Sequence, residues 1–258
     1  MRRRILVVVS AVLSAASFNA ARAADLPRKA QPYQSPVVNN WTGWYVGLNA
    51  GAVMSSGKFS VVPNQVGFPG GGAFSAAAAA SFVETLDRTE RDAGFTGGGQ
   101  FGYAYQFKNV VIGFEIDFGY TGVNKTFSGT TSNGAAVTES YRSDWLNTDR
   151  VRLGYVSGPA VYYVTGGLAV ANVEVATTAV DGPGRIVGSD TTTKLGWTAG
   201  AGAEWMVAPR WSVKFEYLHV DLGTAELRST DGNFPLGFID TSLRLREDIV
   251  RFGVNYRL

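Results

Sequence analysis

Hydrophobic and polar residues alternate along most of the chain from Trp41 to Leu258. Between residues 95 and 107, for example, aromatic residues and glycines hold the odd positions, while small or amide residues hold most of the even ones. A period of two places successive side chains on opposite faces of a β-strand. Eight such segments can be distinguished, near residues 44, 95, 112, 151, 162, 197, 211 and 252. The pattern therefore predicts an all-β fold of eight strands.

The connections between these strands alternate between short and long. Short links lie at 108–109, 157–159 and 208–210, and long ones at 53–93, 123–139, 174–193 and 223–242. Short turns at one end and long loops at the other are typical of outer-membrane barrels. We therefore expect an eight-stranded antiparallel transmembrane β-barrel with short periplasmic turns and four long extracellular loops. Within the first loop, the alanine-rich stretch 75–92 could form a short helix.

The two faces of the strands differ in size and charge, and this decides which face points inward. One face carries large aromatic residues, and the other carries glycine, alanine, threonine and charged residues. Because the interior of an eight-stranded barrel is only just wide enough for ordinary side chains, the aromatic face is expected to contact lipid. Four acids and four bases then face the lumen, where they are expected to form salt bridges that fill it and prevent bulk ion flow: Glu115, Asp117, Arg150, Arg152, Glu204, Lys214, Glu216 and Arg251.

Aromatic residues at the strand ends are expected to mark the two surfaces of the membrane. Those next to a short turn or a terminus form one predicted ring: Trp44, Tyr105, Phe107, Tyr155, Tyr162, Trp205, Trp211 and Tyr256. Those toward the long loops form the other: Phe95, Tyr120, Trp145, Trp197 and Tyr217.

The first 40 residues differ from the rest. Three arginines at 2–4, an apolar run at 5–13 and the sequence Ala21-Arg22-Ala23 predict a signal peptide over residues 1–23, cleaved between Ala23 and Ala24. Residues 24–40 contain three prolines among polar residues and are expected to form an extended tether, followed by the barrel over 41–258. Four arginines lie in the leader, so the net charge of +2 becomes −2 after cleavage, and no nucleic-acid partner is expected.

Composition excludes several kinds of site. The chain has no cysteine and a single histidine, which excludes thiolate chemistry and multi-histidine metal sites. No EF-hand spacing is found among the loop aspartates, and no metal or cofactor is expected. Residues 97–102 match the dinucleotide motif GxGxxG, but a second strand follows a two-residue turn, so a glycine-lined barrel wall is the better interpretation.

Two further groups suggest chemistry. Glu115 and Asp117 could form a catalytic carboxylate pair, although two lumenal acids facing Arg150 and Arg152 are more simply structural. His219 with Asp221 could resemble the outer-face pair of a barrel enzyme that trims lipid A. No serine is suitably spaced on the same strand, which favours an interfacial histidine.

Several short motifs resemble one known family. They are Ala24-Asp25-Leu26-Pro27, Asn40-Trp41-Thr42-Gly43-Trp44-Tyr45-Val46-Gly47, Thr165-Gly166-Gly167-Leu168-Ala169, Gly196-Trp197-Thr198-Ala199-Gly200-Ala201-Gly202, Glu216-Tyr217-Leu218 and Val254-Asn255-Tyr256-Arg257. On these motifs the chain resembles the Omp25/Omp31-like small outer-membrane β-barrels of alphaproteobacteria, within the OmpA-like membrane-domain class. The resemblance implies an abundant surface antigen that supports envelope integrity in a Gram-negative outer membrane.

Three functional hypotheses follow. The first is a non-enzymatic structural protein that stabilises the outer membrane and displays surface loops. The second is a small porin or ligand-binding channel, and the third is an outer-membrane lipid-modifying enzyme. Expected partners are outer-membrane lipid and lipopolysaccharide, the barrel-assembly machinery during insertion, and a host or surface ligand of the loops. The oligomeric state does not follow from the sequence.

Overall fold

The computed structural model describes residues 40–64, 75–181, 184–231 and 238–258. Its strands are β1 (Gly43–Pro63), β2 (Thr89–Phe107), β3 (Val110–Thr130), β4 (Ala136–Ser157), β5 (Ala160–Asp181), β6 (Gly184–Ala208), β7 (Trp211–Asp231) and β8 (Phe238–Arg257). A helix, α1 (Ala76–Leu86), lies between β1 and β2. The predicted signal peptide, its cleavage site and all of the tether except Asn40 lie outside the described residues. In the described part of the chain, no helix has the length and hydropathy needed to cross a bilayer.

The eight strands close into a barrel. Each strand pairs antiparallel with its neighbours in chain order, and β1 pairs with β8. Paired residues followed once around the sheet from Val46 return to β1 at Ser56, ten residues further along. Such a stagger accompanies strands that are tilted against the barrel axis. Closure also leaves no unpaired edge strand, as lipid requires. The predicted eight-stranded antiparallel barrel is confirmed.

The two ends of the barrel differ in their connections. Two-residue turns join β2 to β3, β4 to β5 and β6 to β7 at one end, where Lys108 and Gly158 have φ of 54° and 58°. At the other end the strands run further than the sequence predicts. β1 continues to Pro63 and β4 already begins at Ala136. Most of the described residues in the four intervals expected to be loops therefore belong to strands.

The strands continue because the alternation continues, with its apolar residues on the opposite face. On β8, Phe252 points outward, whereas Leu243 and Leu245 are buried in the interior. β7 makes the same change between Tyr217, which is exposed, and Leu218, which is buried. Apolar side chains face outward where the surroundings are lipid and inward where they are water. The change of face thus marks the outer boundary of the membrane.

This boundary divides the barrel into two parts. The membrane band is the part whose apolar side chains face outward: residues 44–54, 95–107, 110–120, 145–155, 162–170, 195–207, 211–217 and 250–258. The extracellular extension is the rest of β1 to β8, beyond these ranges and away from the short turns.

Helix α1 covers the open end of the extracellular extension. Its N-cap is Ser75, whose hydroxyl oxygen accepts a hydrogen bond from the Ala78 N–H at 3.1 Å. Phe82 and Leu86, four residues apart, are buried in an apolar cluster that includes Ile239 of β8. A helix therefore forms within the predicted stretch 75–92, but it ends at Leu86, where the extended backbone of Asp87 caps it, and β2 begins at Thr89.

Candidate functional site

The eight charged residues predicted to face the lumen all lie in the interior of the membrane band. They come from β3, β4, β6, β7 and β8, and none has a side chain more than 8% exposed. The structure connects all eight through ion pairs. We call these eight residues the lumenal network.

Glu115 lies at the centre of the lumenal network. Its Oε1 atom accepts hydrogen bonds from Arg150 at 2.5 Å and from Lys214 Nζ at 2.7 Å. Its Oε2 atom accepts from Arg152 at 3.1 Å and from the hydroxyl of Tyr45 at 2.9 Å. One carboxylate thus contacts three cations that arise from two strands. Both carboxylate oxygens of Glu115 therefore accept hydrogen bonds from side chains inside the barrel.

A second group of contacts joins β3, β4, β7 and β8. Glu216 accepts two hydrogen bonds from Arg251, from Nε at 2.8 Å and from Nη2 at 2.6 Å. Its other oxygen accepts from Arg150 at 2.9 Å. Asp117 contacts Arg150 at 2.5 Å and Arg251 at 2.8 Å. Glu115 and Asp117 are therefore linked through Arg150, as the structural interpretation of this pair expects.

Glu204 forms the periplasmic side of the lumenal network. It accepts from Arg152 at 2.8 Å and from Asn255 at 2.9 Å, and Arg257 lies 3.8 Å from it. Six further polar residues, five of them neutral, complete these contacts without having been predicted: Tyr45, Asn49, Gln100, Tyr163, Asn255 and Arg257. Their inward-facing positions in the alternation were the signal that could have identified them.

Glycines make room for the two buried tyrosines. A Cβ atom at Gly102 would overlap the hydroxyl end of Tyr45, and one at Gly202 would overlap that of Tyr163. Gly102 is the last glycine of the GxGxxG match, which lies inside β2. The glycine-lined wall is therefore what the structure shows for this motif.

The described cavities beside the lumenal network are small. Two cavities border the lumenal network, each of about 10 Å³, which is close to the room needed for one water molecule. Toward the periplasm the interior is closed by Trp41, which is 1% exposed and lies under the Arg257 guanidinium. Toward the outside it is filled by an apolar cluster of the extracellular extension that includes Phe59, Leu218 and Leu243. Part of this second core lies in intervals that were expected to be loops, such as Phe59 in 53–93.

Both predicted aromatic rings face outward. Seven of the eight residues at the short-turn end are exposed, and Tyr256 is half-buried against Trp211 with ring centroids 5.0 Å apart. In the outer ring only Trp145 is half-buried, and its ring stacks on Phe118 at 5.9 Å. Both sets of aromatic residues thus face the surroundings of the barrel, and their role as interfacial rings stays a prediction.

One charged residue in the membrane band points outward and not into the interior. Asp149 is exposed on the outward face of β4, paired in register with Ile116 and Leu168. It lies six residues from Tyr155 and four from Trp145, so it is near the middle of the membrane band. Within the described residues it has no ion pair. Nothing in the structure explains its position.

His219 does not contact Asp221, and its half-buried position on the outward face near the membrane boundary agrees with the interfacial histidine that the sequence favours. His219 Nδ1 lies 2.8 Å from Asp248 of β8, and Tyr217 donates a hydrogen bond to the same carboxylate at 2.6 Å. Asp221 instead accepts hydrogen bonds from Arg244 and Arg246. A neighbouring strand competes because residues directly opposite in a sheet are closer than residues two apart on one strand.

One buried acid lies well outside the membrane band. Glu139 of β4 is 1% exposed, and neither carboxylate oxygen has a hydrogen-bond partner. Burial raises the pKa of this carboxyl to about 8, although the nearby Arg88 acts in the opposite direction. In the described residues, no group of three or more histidine, aspartate or glutamate side chains could hold a metal ion.

Comparisons with known proteins agree with this architecture. The family model described as "Outer membrane protein beta-barrel domain" matches residues 9–257. The chain is 34% identical over 255 residues to the 31 kDa outer-membrane immunogenic protein of Brucella melitensis biotype 1, covering 97% of this chain and 98% of that protein. It is 30% identical over 152 residues to a 22 kDa outer membrane protein of Rhizobium leguminosarum bv. viciae, covering 59% of this chain and 64% of that protein.

Among solved structures, the outer membrane protein OprG from Pseudomonas aeruginosa superimposes with a TM-score of 0.50 at 11% identity. The match covers 85% of this chain and 99% of OprG, and it supports the fold alone. The near full-length family match, the relatives named as outer-membrane proteins and the closed barrel with an apolar band all agree. The chain therefore belongs to the outer membrane protein β-barrel family, in its Omp25/Omp31-like group, and is located in the outer membrane.

Proposed function

We propose that this protein is a non-enzymatic structural component of the outer membrane, whose closed barrel supports the envelope and presents its outer connections to the exterior. The observation that carries the proposal is the filled interior. An ion crossing the barrel would have to pass Trp41, the lumenal network and the apolar cluster of the extracellular extension in turn. Each of these three layers is packed, and the cavities beside the network hold about one water each.

The lumenal network gives the barrel rigidity in this proposal. Buried ion pairs contribute little net stability compared with apolar packing, but removal of one partner leaves an unpaired buried charge at a cost of about 3 to 5 kcal/mol. The pairs therefore favour one arrangement of the eight strands over others. A barrel held this way would suit a load-bearing component better than a pore whose lumen must admit water.

The relatives support the surface part of the proposal. Several relatives are named outer-membrane immunogenic proteins. An immunogenic outer-membrane protein is expected to have parts that are accessible from outside the cell. In this chain the extracellular extension and α1 would provide the accessible surface. A host or surface ligand of this region remains part of the proposal, as does the barrel-assembly machinery as the partner during insertion.

Planar-bilayer conductance tests the closed barrel. Purified, folded protein is expected to give no stable openings, with a general porin in the same bilayers as the positive control. Stable ohmic openings would overturn the closed barrel and support the small-porin hypothesis.

A second experiment tests the supporting role in the envelope. Loss of the gene is expected to increase the sensitivity of the cells to detergent, and the wild-type gene is expected to restore resistance. Unchanged sensitivity would contradict the supporting role.

The enzyme hypothesis has its own test. His219, Asp248 and Tyr217 lie together on the outer face near the membrane boundary, but the described contacts of His219 include no nucleophile. We expect no release of fatty acid from lipopolysaccharide by the purified protein. Release that is abolished by His219→Ala would instead establish the lipid-modifying enzyme.

A further inference from the structure

Four basic residues lie together on the outward face of the barrel, just beyond the membrane band. Arg91 is on β2, Lys58 is on β1, and Arg244 and Arg246 are on β8. All four are exposed. We call these four residues the basic patch.

The sheet register places the members of the basic patch next to one another. Lys58 pairs directly with Arg244 across β1 and β8. Ser56 pairs with Arg91 on one side and with Arg246 on the other, so it lies between two cations. Side chains directly opposite in an antiparallel pair have Cβ atoms about 4.5 to 5.5 Å apart, and like charges in such positions are destabilising. The fold therefore keeps cations adjacent where their mutual repulsion is unfavourable.

Internal carboxylates compensate this charge only in part. Asp221 of β7 accepts hydrogen bonds from Arg244 at 2.9 Å and from Arg246 at 3.0 Å. Arg91 and Lys58 have no ion pair within the described residues. Asp248, the next acid below, is held by His219 and Tyr217. The four cations thus contact one carboxylate, Asp221, while the charge of Asp248 lies one outward-facing position below them, so positive charge still exceeds negative charge on this part of the outward face.

The basic patch lies at the level of lipid headgroups. Met54, at the outer end of the membrane band on β1, pairs with Asp248, and the Ser56–Arg246 pair is the next outward-facing pair. With tilted strands, each residue rises about 2.5 Å along the barrel axis, so the four cations lie within about 10 Å of the hydrocarbon edge. This is where the charged groups of outer-leaflet lipids are found.

A polar groove adjoins the basic patch on its outer side. It runs across β7, β8 and β1, with a volume of about 420 Å³, and it is lined by residues that include Ser60, Glu226, Arg228, Asp240 and Ser242. Hydroxyl, carboxylate and guanidinium groups are the side chains that hydrogen-bond sugars. The basic patch would contact the anionic groups of a lipid headgroup, and the groove above it would contact sugars attached to them. The two features together fit an anionic lipid that carries a saccharide.

We propose that the basic patch binds the anionic headgroup of the outer-leaflet glycolipid, lipopolysaccharide, and that the adjoining groove receives its first sugars. Arg244 and Arg246 are oriented by Asp221, while Lys58 and Arg91 supply charge that is not otherwise neutralised. The bound anion would relieve the repulsion between Lys58 and Arg244. This site rests on the outer-membrane location of the barrel and is independent of whether the lumen is closed.

Lipid titration of the purified full-length protein tests the site. The probes are lipopolysaccharide from the source bacterium, phosphatidylglycerol, phosphatidylcholine and inorganic phosphate, each added to protein in uncharged detergent, with thermal unfolding as the readout. Lipopolysaccharide is expected to raise Tm of the wild type at lower concentration than any other probe. Phosphatidylglycerol acting equally well would overturn the saccharide part of the proposal, and inorganic phosphate acting equally well would overturn the lipid part.

Charge-removing variants locate the site. The triple variant Lys58→Gln, Arg91→Gln, Arg246→Gln is expected to weaken lipopolysaccharide binding by at least tenfold, because each basic residue near an anionic lipid surface contributes roughly a factor of five. The matched control is Arg142→Gln, an exposed arginine of the extracellular extension on β4 that has its own carboxylate, Asp144, at 2.6 Å. Equal binding by the triple variant and the wild type would overturn the proposal, as would an equal loss in the control.

The test is separable from that of the closed barrel. The triple variant changes outward-facing residues only, so its conductance is expected to match that of the wild type, and its binding is compared through the lipid-induced change in Tm of each protein. Loss of lipopolysaccharide binding without a change in conductance supports the glycolipid site alone. Conductance in the wild type with intact lipopolysaccharide binding would overturn the closed barrel and leave the glycolipid site standing.

Discussion

At the scale of single residues, the direction in which a side chain points from the barrel wall determines which type of residue is stable at that position. Phe114 of β3 faces outward, 39% exposed, and its ring meets that of Trp44 edge-on at 5.7 Å. Glu115, the next residue, is fully buried among three cations. Adjacent positions therefore require opposite chemistry, because one contacts lipid and the other contacts the lumenal network.

This difference can be measured with two substitutions. Phe114→Arg places a cation on the lipid face and is expected to lower the free energy of unfolding by about 2 to 4 kcal/mol. Thr198→Ser, on the lumenal face of β6, keeps the hydroxyl that donates to the His219 carbonyl at 3.0 Å and is expected to change it very little. Urea unfolding in lipid vesicles is the measurement. Equal effects at the two sites would contradict the assignment of faces.

Asp149 leads to the opposite expectation. An exposed carboxylate near the middle of the membrane band is unfavourable in lipid, so Asp149→Leu is expected to stabilise the barrel by about 1 to 3 kcal/mol in the same assay. Leu153→Ala, at an outward-facing position of the same strand, is the control and is expected to destabilise slightly. A loss of stability in Asp149→Leu would mean that the carboxylate has a favourable contact in the membrane.

At the scale of elements, α1 and the strand ends beneath it form a second core outside the membrane. Leu86→Ala is expected to cost about 2 to 5 kcal/mol, because Leu86 is 0% exposed in the apolar cluster under the helix. Val83→Ala is the control on the same helix, since Val83 is 37% exposed. Thermal unfolding in vesicles compares the two. Similar small effects would show that α1 does not pack firmly on the barrel.

The strands were predictable from sequence to different extents in the two parts of the barrel. In the membrane band, aromatic residues such as Phe215 and Tyr217 alternate with charged or small ones, so both the strand and its facing follow from the pattern. In the extracellular extension the period persists, but Leu243 and Leu245 alternate with arginines in the opposite phase. The rule that apolar side chains point outward fails in the extracellular extension, because the barrel is surrounded there by water and not by lipid.

The lumenal network was predictable in membership and less so in connectivity. Each of the eight charges could be placed on the inward face from its position in the alternation. The partners could not be assigned, because long side chains reach across the lumen. Lys214 pairs in register with Glu204, yet its ammonium group contacts Glu115 on β3. The partner of His219, on the outward face, could not be assigned from sequence either, because it depends on the register of β7 against β8.

At the scale of the whole molecule, stability is expected to depend on pH through Glu139. Its pKa is about 8 in the folded state and about 4.5 in the unfolded chain, so the folded state binds the proton more tightly. Stability from this residue is therefore fully present below pH of about 4.5 and is lost as the pH rises toward 8. Unfolding at pH 5 and at pH 9 should show this loss.

The Glu139→Gln variant is the control for this pH dependence. The amide has similar size and no charge in this range, so the variant is expected to lose less stability than the wild type between the two pH values. An identical pH dependence in the variant and the wild type would assign the effect to other groups.

The length of the strands beyond the lipid has a consequence for what the cell presents. From Met54 to Pro63, β1 rises roughly 20 Å past the hydrocarbon edge as part of a packed wall. The described outer ends of the strands therefore form a stiff wall that continues well beyond the lipid. Under the proposed surface role, substitutions or insertions in the connections beyond this wall are expected to alter the epitopes on the cell surface while leaving the membrane-embedded wall unchanged.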